Sequence, residues 1–195
     1  MKFLLWTSFA LLGFISGSVM YSAIIPKIFC RKDVGELSDD KNPGATNVFK
    51  HCGKFIGSLC LALDIVKGAV PVLLAVIFAG AENLTFAAVM LAPVAGHALG
   101  AFNKFRGGKC IATSFGVTLG LLPTSVIAFA LLAFYYIVFS SVFNIKPHKK
   151  RSIVVFFTFA VSALAAYIIL HRIALAVGSV AIALVVILKH SVVKK

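Results

Sequence analysis

Residues 110–145 read CIATSFGVTLGLLPTSVIAFALLAFYYIVFSSVFNI, with no charged side chain anywhere in the stretch. A membrane helix needs about 20 mostly apolar residues to cross a hydrocarbon core of roughly 30 Å, so this run is too long for one comfortable span. Pro123 divides it, because an internal proline removes a backbone donor and kinks or ends a helix. The part before the proline, Cys110 to Leu122, has 13 residues and rises only ~20 Å as a helix. Either the loop before it dips into the membrane or this helix does not fully cross. How the run is divided sets the number of spans and the side on which everything after it lies.

The rest of the chain supplies further runs of suitable length. Phe3 to Pro26 carries no charge, Phe55 to Phe78 is interrupted only by Asp64 and Lys67, and Asn83 to Asn103 is again uncharged. Ser152 to Leu170 and Ile173 to Leu188 follow, separated by His171-Arg172. With two spans in 110–145 the chain is expected to be an all-α membrane protein, a polytopic bundle of seven transmembrane helices. It forms a single integral membrane domain over residues 1–195. Composition points the same way. Of the 195 residues 61% are hydrophobic and 13% charged, against roughly 25% charged in a soluble domain. A soluble fold of this size could not hide so much apolar surface. Lys2 followed by an apolar stretch resembles a signal peptide, but the run is long enough to span and six more follow, so it reads as an uncleaved helix.

Charge placement sets the orientation. The loops 27–54, 103–109 and 144–151 and the tail 189–195 fall on one side and hold 16 of the 19 Lys and Arg residues. The opposite loops hold little more than Glu82 and Arg172. That asymmetry is the positive-inside pattern, with the C-terminus cytoplasmic and the N-terminus outside. A six-span arrangement would send Lys146, Lys149, Lys150, Arg151 and the basic tail outward, and is rejected. The formal charge of +13 therefore marks a membrane side rather than a nucleic-acid surface. Gly13 and Gly17, four apart, read as a site of close helix packing. Cys30, Cys52, Cys60 and Cys110 show no zinc-like spacing and lie near the expected cytoplasmic side, where thiols stay reduced.

Polar residues gather in two places. In the first, Asp39-Asp40-Lys41-Asn42-Pro43-Gly44-Ala45-Thr46-Asn47 leads to Lys50 and His51. Asn-Pro-Gly is a turn, Thr46 or Asn47 is placed to cap the following helix, and a helix start suits an anion. Asp64 and Lys67 stand three apart on one helical face inside a span. Charges there are costly unless paired or functional, so the pair is expected to orient the helix beneath the site. In the second cluster Gly96-His97 precedes Asn103-Lys104-Phe105-Arg106-Gly107-Gly108-Lys109-Cys110, with Thr113 and Ser114 in the next helix. Paired glycines let backbone N–H groups approach a ligand, and three basic side chains surround them, as in a phosphate cradle. This is not a Walker A loop, since position 103 is Asn and Cys110 replaces Ser/Thr. The Lys146–Arg151 run reads as topological and His148 as solvated. No Gly-x-Ser-x-Gly, His-Glu-x-x-His or His-x-x-x-x-Asp motif is present. A basic, glycine-lined pocket between helices fits a transfer that needs orientation and charge stabilisation, without metal or cofactor.

Gly17-Ser18, Asn42-x-Gly44-Ala45-Thr46-Asn47, Leu63-Asp64-x-x-Lys67-Gly68-x-x-Pro71, Gly96-His97 and Phe105-Arg106-Gly107-Gly108-Lys109-x-x-Ala112-Thr113 occur in this order. Together they resemble the bacterial acyl-phosphate-dependent glycerol-3-phosphate acyltransferases, the PlsY family, over nearly the whole chain. The resemblance implies transfer of a fatty acyl group from acyl phosphate to glycerol 3-phosphate, giving lysophosphatidate at the cytoplasmic face of a bacterial inner membrane. It implies a monomer in the lipid bilayer with no nucleic-acid partner, and the bound acceptor's own phosphate taking the hydroxyl proton. By position, Lys109, Arg106 and His97 are implied as catalytic. Gly44, Ala45, Thr46, Asn47, Gly107, Gly108 and Thr113 match phosphate-holding positions. Asp40, Asn42, Lys50, Lys104 and His190 fall on the glycerol-phosphate side.

The chain departs from that pattern in three places. Asp39-Asp40-Lys41 replaces Gly-Ser-Gly, Cys110 replaces glycine, and the C-terminal His-Arg-x-Asn is reduced to His190-Ser191-Val192-Val193. Asp40 puts a carboxylate near a phosphate site, a repulsion of roughly several kcal/mol at ~4 Å unless Lys41 or Lys50 compensates. The expectation is a divergent member with an altered acceptor or weakened activity. The alternative is a non-catalytic or transport protein that binds anionic lipid or phosphate on the same fold. A transporter should carry inverted repeats, and none is visible.

Overall fold

A computed structural model describes residues 2–192, and within them the chain is helical throughout, with no strand. Helix α1 runs Lys2–Ser18, α2 Tyr21–Phe29, α3 Val34–Leu37, α4 Ala45–Ala79 and α5 Phe86–Leu99. Then come α6 Ile111–Gly120, α7 Ile127–Ile137 with a wider turn over Val138–Val142, α8 His148–Ile169 and α9 Ile173–Ser191. Five stretches are long and apolar enough to cross a membrane: Phe3–Phe29, Ala45–Ala79, Phe86–Asn103, His148–Ile169 and Ile173–Ser191. Ile111–Gly120 and Ile127–Val142 are apolar but shorter. This is the architecture of a multi-pass membrane protein, and Phe3, Phe55, Phe78, Phe134 and Ile169 are among the apolar side chains left on its outside. The uncharged run 110–145 does divide at Pro123, which sits in the turn between α6 and α7.

Contacts link the helices in a circuit from α1 to α5, α9, α8, α7, α6, α4 and back to α1, with α2 against α4. Close approach depends on missing side chains. A Cβ on Gly17 would lie 2.0 Å from the Pro93 carbonyl oxygen, and one on Gly96 would lie 2.2 Å from that of Phe14. These contacts seat α1 on α5 with backbones touching, as the small-residue spacing suggested. Across the circuit Phe156, Phe159, Tyr167, Leu175, Ile182 and Met90 fill the core.

One apolar run and one helix are interrupted. The uncharged stretch 3–26 breaks at Val19, and the cause is Lys67. Its Nζ donates to the Val19 carbonyl at 2.6 Å and pairs with Asp64 Oδ1 at 2.7 Å. Ser22 Oγ donates to the other carboxylate oxygen at 2.8 Å, and Ser16 Oγ donates to the Lys67 carbonyl at 3.0 Å. A side chain inserted into the ladder takes the carbonyl that would otherwise continue the helix. The second interruption is Gly53, at φ 81°, inside α4. Glycine enters that left-handed region without steric cost, so residues 45–52 form a separate short helix that meets the long one at an angle.

Lys67→Met leaves Asp64 buried without its cation and is expected to destabilise the fold by about 3–5 kcal/mol. Adding Asp64→Leu should restore part of the loss. Thermal unfolding in detergent micelles measures both, and unchanged transitions would show that the pair is dispensable.

Candidate functional site

The site is built where two loops meet. In the first, Pro43 and Gly44 turn the chain into α4. Gly44, in an extended conformation, is the N-cap, with no side-chain cap on the helix. Thr46 and Asn47 therefore do not cap it. The Asn47 amide reaches back instead, with Nδ2 donating to the Asn42 carbonyl at 2.9 Å and to Asp40 Oδ1 at 3.0 Å. The Asn42 N–H also donates to Asp40 Oδ1, at 3.2 Å. An aspartate that accepts from the backbone two residues on forms a local turn, and here it fixes the carboxylate in place.

The second loop leaves α5 through Gly100 and then carries Lys104 and Phe105 in left-handed conformation, φ 52° and 56°. That double reversal turns Phe105 and Arg106 outward. The Gly107 and Gly108 backbone then lies against the end of α5. A Cβ on Gly107 would be 2.0 Å from the Ala98 carbonyl oxygen, and one on Gly108 would be 2.2 Å from His97 Nε2. The Gly108 N–H donates to the His97 carbonyl at 3.0 Å. The glycine pair is thus demanded by packing, and its effect is to lay Lys109 across the first loop. Lys109 Nζ lies 2.6 Å from Asp40 Oδ2. Cys110 follows with φ 66°, a conformation that favours glycine, and its thiol donates to the Val94 and Gly108 carbonyls.

Asp40, Asn42 and Lys109 form a wall shared by two cavities. The larger, about 530 Å³, has a polar end made by Asn42 and Gly44 to Asn47 and an apolar end that includes Leu61, Ile65, Phe115 and Tyr136. His97, Asp64 and His148 also line it. The smaller, about 290 Å³, is bordered by Gly107, Gly108, Lys149, Lys189, His190 and Asp39. His190 is 2% exposed. Its Nδ1 lies 2.8 Å from the Val186 carbonyl, an acceptor, so Nδ1 carries a proton, and Nε2 has no partner among the described residues. The His148 and His190 rings stack at 6.1 Å.

The structure brings together Asp40, Asn42, Gly44, Ala45, Thr46, Asn47, His97, Gly107, Gly108, Lys109 and His190. It does not bring in Arg106, Lys104 or Lys50. The Arg106 side chain is 66% exposed and only 3.8 Å from Glu36 at best, while Lys104 and Lys50 are exposed and line neither cavity. Thr113 is buried against Gly68 and does not reach the walls. Lys67 lies beneath the site, held by Asp64. The cation that compensates Asp40 is Lys109 rather than Lys41 or Lys50. Sequence reasoning missed His148 and Lys149, read as solvated and topological, along with Lys189, Phe115 and Tyr136. The one signal available was the adjacency of Lys189 to His190, since uncharged aromatics in a span carry no mark of a cavity. Among the described residues no three His, Cys, Asp or Glu side chains converge as metal ligands would.

These features define a class of multi-pass membrane protein, one in which a cavity with an apolar end abuts a cation-rich one. A family profile, Glycerol-3-phosphate acyltransferase, matches residues 7–193. The chain belongs to that family. It is 37% identical over 123 residues to the glycerol-3-phosphate acyltransferase of Thermotoga petrophila, a match covering 63% of this chain and 62% of that one. It is 41% identical over 129 residues to the enzyme of Desulfovibrio desulfuricans, covering 66% and 56%. The matched stretch thus spans less than two thirds of these curated relatives. Crystal structures of PlsY (YgiH), an integral membrane glycerol 3-phosphate acyltransferase, superpose with TM-scores of 0.80 in the glycerol 3-phosphate form and 0.77 in the lysophosphatidic acid form. Both are 26% identical, covering 95% of this chain and 88% of theirs.

Burial raises the Asp40 carboxyl, but the Lys109 ammonium and the Asn42 and Asn47 donors outweigh it and leave the group below its ordinary value of 3.8. A lowered carboxylate contributes stability that is present above the unfolded-state value and is lost as pH falls through the folded-state one. The difference in unfolding temperature between wild type and Asp40→Asn should therefore hold steady from pH 7 to about 5 and shrink below about 4. A difference that does not change with acid would show that the pair adds no pH-linked stability.

Proposed function

We propose that this chain transfers a fatty acyl group from an acyl phosphate to the first hydroxyl of glycerol 3-phosphate, giving lysophosphatidate and inorganic phosphate for phospholipid synthesis. The observation that carries this reading is Lys109 in the wall shared by the two cavities. One cation placed there faces both a phosphate with an acyl tail and a second, phosphorylated partner. The glycerol 3-phosphate and lysophosphatidic acid forms of the related PlsY support the choice of acceptor and product.

The donor phosphate occupies the polar end of the larger cavity, where the first N–H groups of α4 and the Asn42 amide surround it. Its chain runs past Leu61, Ile65, Phe115 and Tyr136 toward the bilayer. The acceptor occupies the smaller cavity, and the unprotonated Nε2 of His190 accepts a hydrogen bond from its hydroxyl. The hydroxyl oxygen attacks the acyl carbonyl carbon, the bond from that carbon to the phosphate oxygen breaks, and the hydroxyl proton ends on the released phosphate. Acyl phosphate is a mixed anhydride with a good leaving group, so no covalent enzyme intermediate is required. Lys109 leaves Asp40 and neutralises the departing phosphate. His97 positions the glycine loop and so Lys109. Asp64 and Lys67 hold α4 beneath it, and Arg106, Lys104 and Lys50 draw anions toward the mouth from the surface.

In this reading the chain crosses a bacterial inner membrane seven times as a monomer, with α6 the short span, the N-terminus outside and the site facing the cytoplasm. The protein purified into lipid and supplied with acyl phosphate and glycerol 3-phosphate should form lysophosphatidate. Lys109→Ala should lower kcat by about 10²–10³. Absence of product from the wild type, or a Lys109→Ala variant as active as wild type, would overturn the reading. Consumption of acyl phosphate only with another acceptor would overturn the acceptor alone.

A further inference from the structure

The smaller cavity has more cationic side chains than its carboxylates account for. Lys109 is matched by Asp40 at 2.6 Å, and Lys189 Nζ donates to the Ala98 carbonyl at 2.8 Å. Lys149 is different. It forms no ion pair among the described residues, and its contact is a 3.3 Å hydrogen bond from Nζ to the Ser191 carbonyl. The residue stands in the first turn of α8, a helix of 22 residues whose N-cap, Pro147, supplies no side-chain cap. The Arg151 N–H is the one that finds Pro147, leaving the N–H groups at the start of the helix to favour negative charge. Beside this helix start lies the buried Nε2 of His190, without a partner among the described residues, and the stacked His148 and His190 rings press the start of α8 against the end of α9. Nothing in the sequence marks Lys149, which lies in a run of positive charges of ordinary membrane topology.

Resting on the acyl-transfer reading above, we infer that Lys149 holds the phosphate of the acceptor, making it the residue that separates phosphorylated from unphosphorylated polyols. The acceptor then lies across the smaller cavity with its phosphate at Lys149 and the α8 N-terminus and its reacting hydroxyl at His190 and Lys109. Lys109, in the shared wall, then faces the donor phosphate on one side and the reacting end of the acceptor on the other. Asp39 and Asp40, which also border the cavity, repel the phosphate from their end of it and thereby fix the direction in which the acceptor lies.

Steady-state kinetics of the full chain in lipid test this. Lys149→Gln and Lys149→Ala should raise the KM for glycerol 3-phosphate by about ten- to a hundredfold, the size of one lost charge-assisted hydrogen bond. The KM for acyl phosphate should stay unchanged and kcat should stay within about threefold. The preference for glycerol 3-phosphate over glycerol should fall by the same factor. Lys150→Ala, one residue on and outside the cavity, should behave as wild type. An acceptor KM in both Lys149 variants equal to that of Lys150→Ala would overturn the assignment. So would a rise in both substrates' KM together, which marks a distorted fold. If Lys149→Ala is unstable, Lys149→Gln decides. Failure of the wild type to acylate glycerol 3-phosphate would instead strike the acyl-transfer reading itself.

Discussion

A charge cannot remain unpaired within a membrane-spanning helix, and the Asp64–Lys67 pair meets that constraint by engaging three helices. The Lys67 ammonium has three donors. It gives one to Asp64 and one to the Val19 carbonyl, and it lies 5.7 Å from the centre of the Tyr21 ring. The Val19 carbonyl is free only because the first apolar run breaks there. The break and the pair therefore require each other, and α1, α2 and α4 are fixed as one unit. Because Asp64 also lines the larger cavity, this unit forms the floor of the site.

Above that floor the polar loops are positioned by close packing more than by charge. Gly17 and Gly96 bring α1 onto α5, and the end of α5 then receives Gly107 and Gly108 at backbone distance. Only with that approach does Lys109 cross to Asp40. The ion pair is partly open, with the two side chains 27% and 41% exposed, so it is a contact that an arriving phosphate can exchange rather than a sealed strut. In the proposed reaction Asp40 acts as a stand-in anion that keeps Lys109 placed until a phosphate arrives.

Much of the architecture was legible because membranes impose few rules. Apolar length located the long helices, and Pro123 marked the division of the run 110–145. The motif order marked the two loops, and Asp64 and Lys67 at helical spacing were recognisable as partners. What stayed hidden was direction. Arg106 and Lys109 look alike in sequence, yet two consecutive left-handed residues, Lys104 and Phe105, turn one outward and leave the other inward. No composition rule distinguishes a basic residue that marks the membrane side from one that borders a cavity, so Lys149 was absorbed into a topological signal. The break at Val19 was invisible for a similar reason, since its cause lies 48 residues away in Lys67.

The central claim is that Lys109 serves both cavities and trades Asp40 for phosphate. A structure of the protein in lipid, bound to glycerol 3-phosphate and a non-hydrolysable acyl phosphonate, tests it most directly. The account predicts the phosphonate at the Gly44–Asn47 end of the larger cavity, within hydrogen-bond distance of Lys109 Nζ, and an Asp40–Lys109 separation well beyond 2.6 Å. Both ligands bound with that separation unchanged, or both phosphate groups seated away from Lys109, would contradict it.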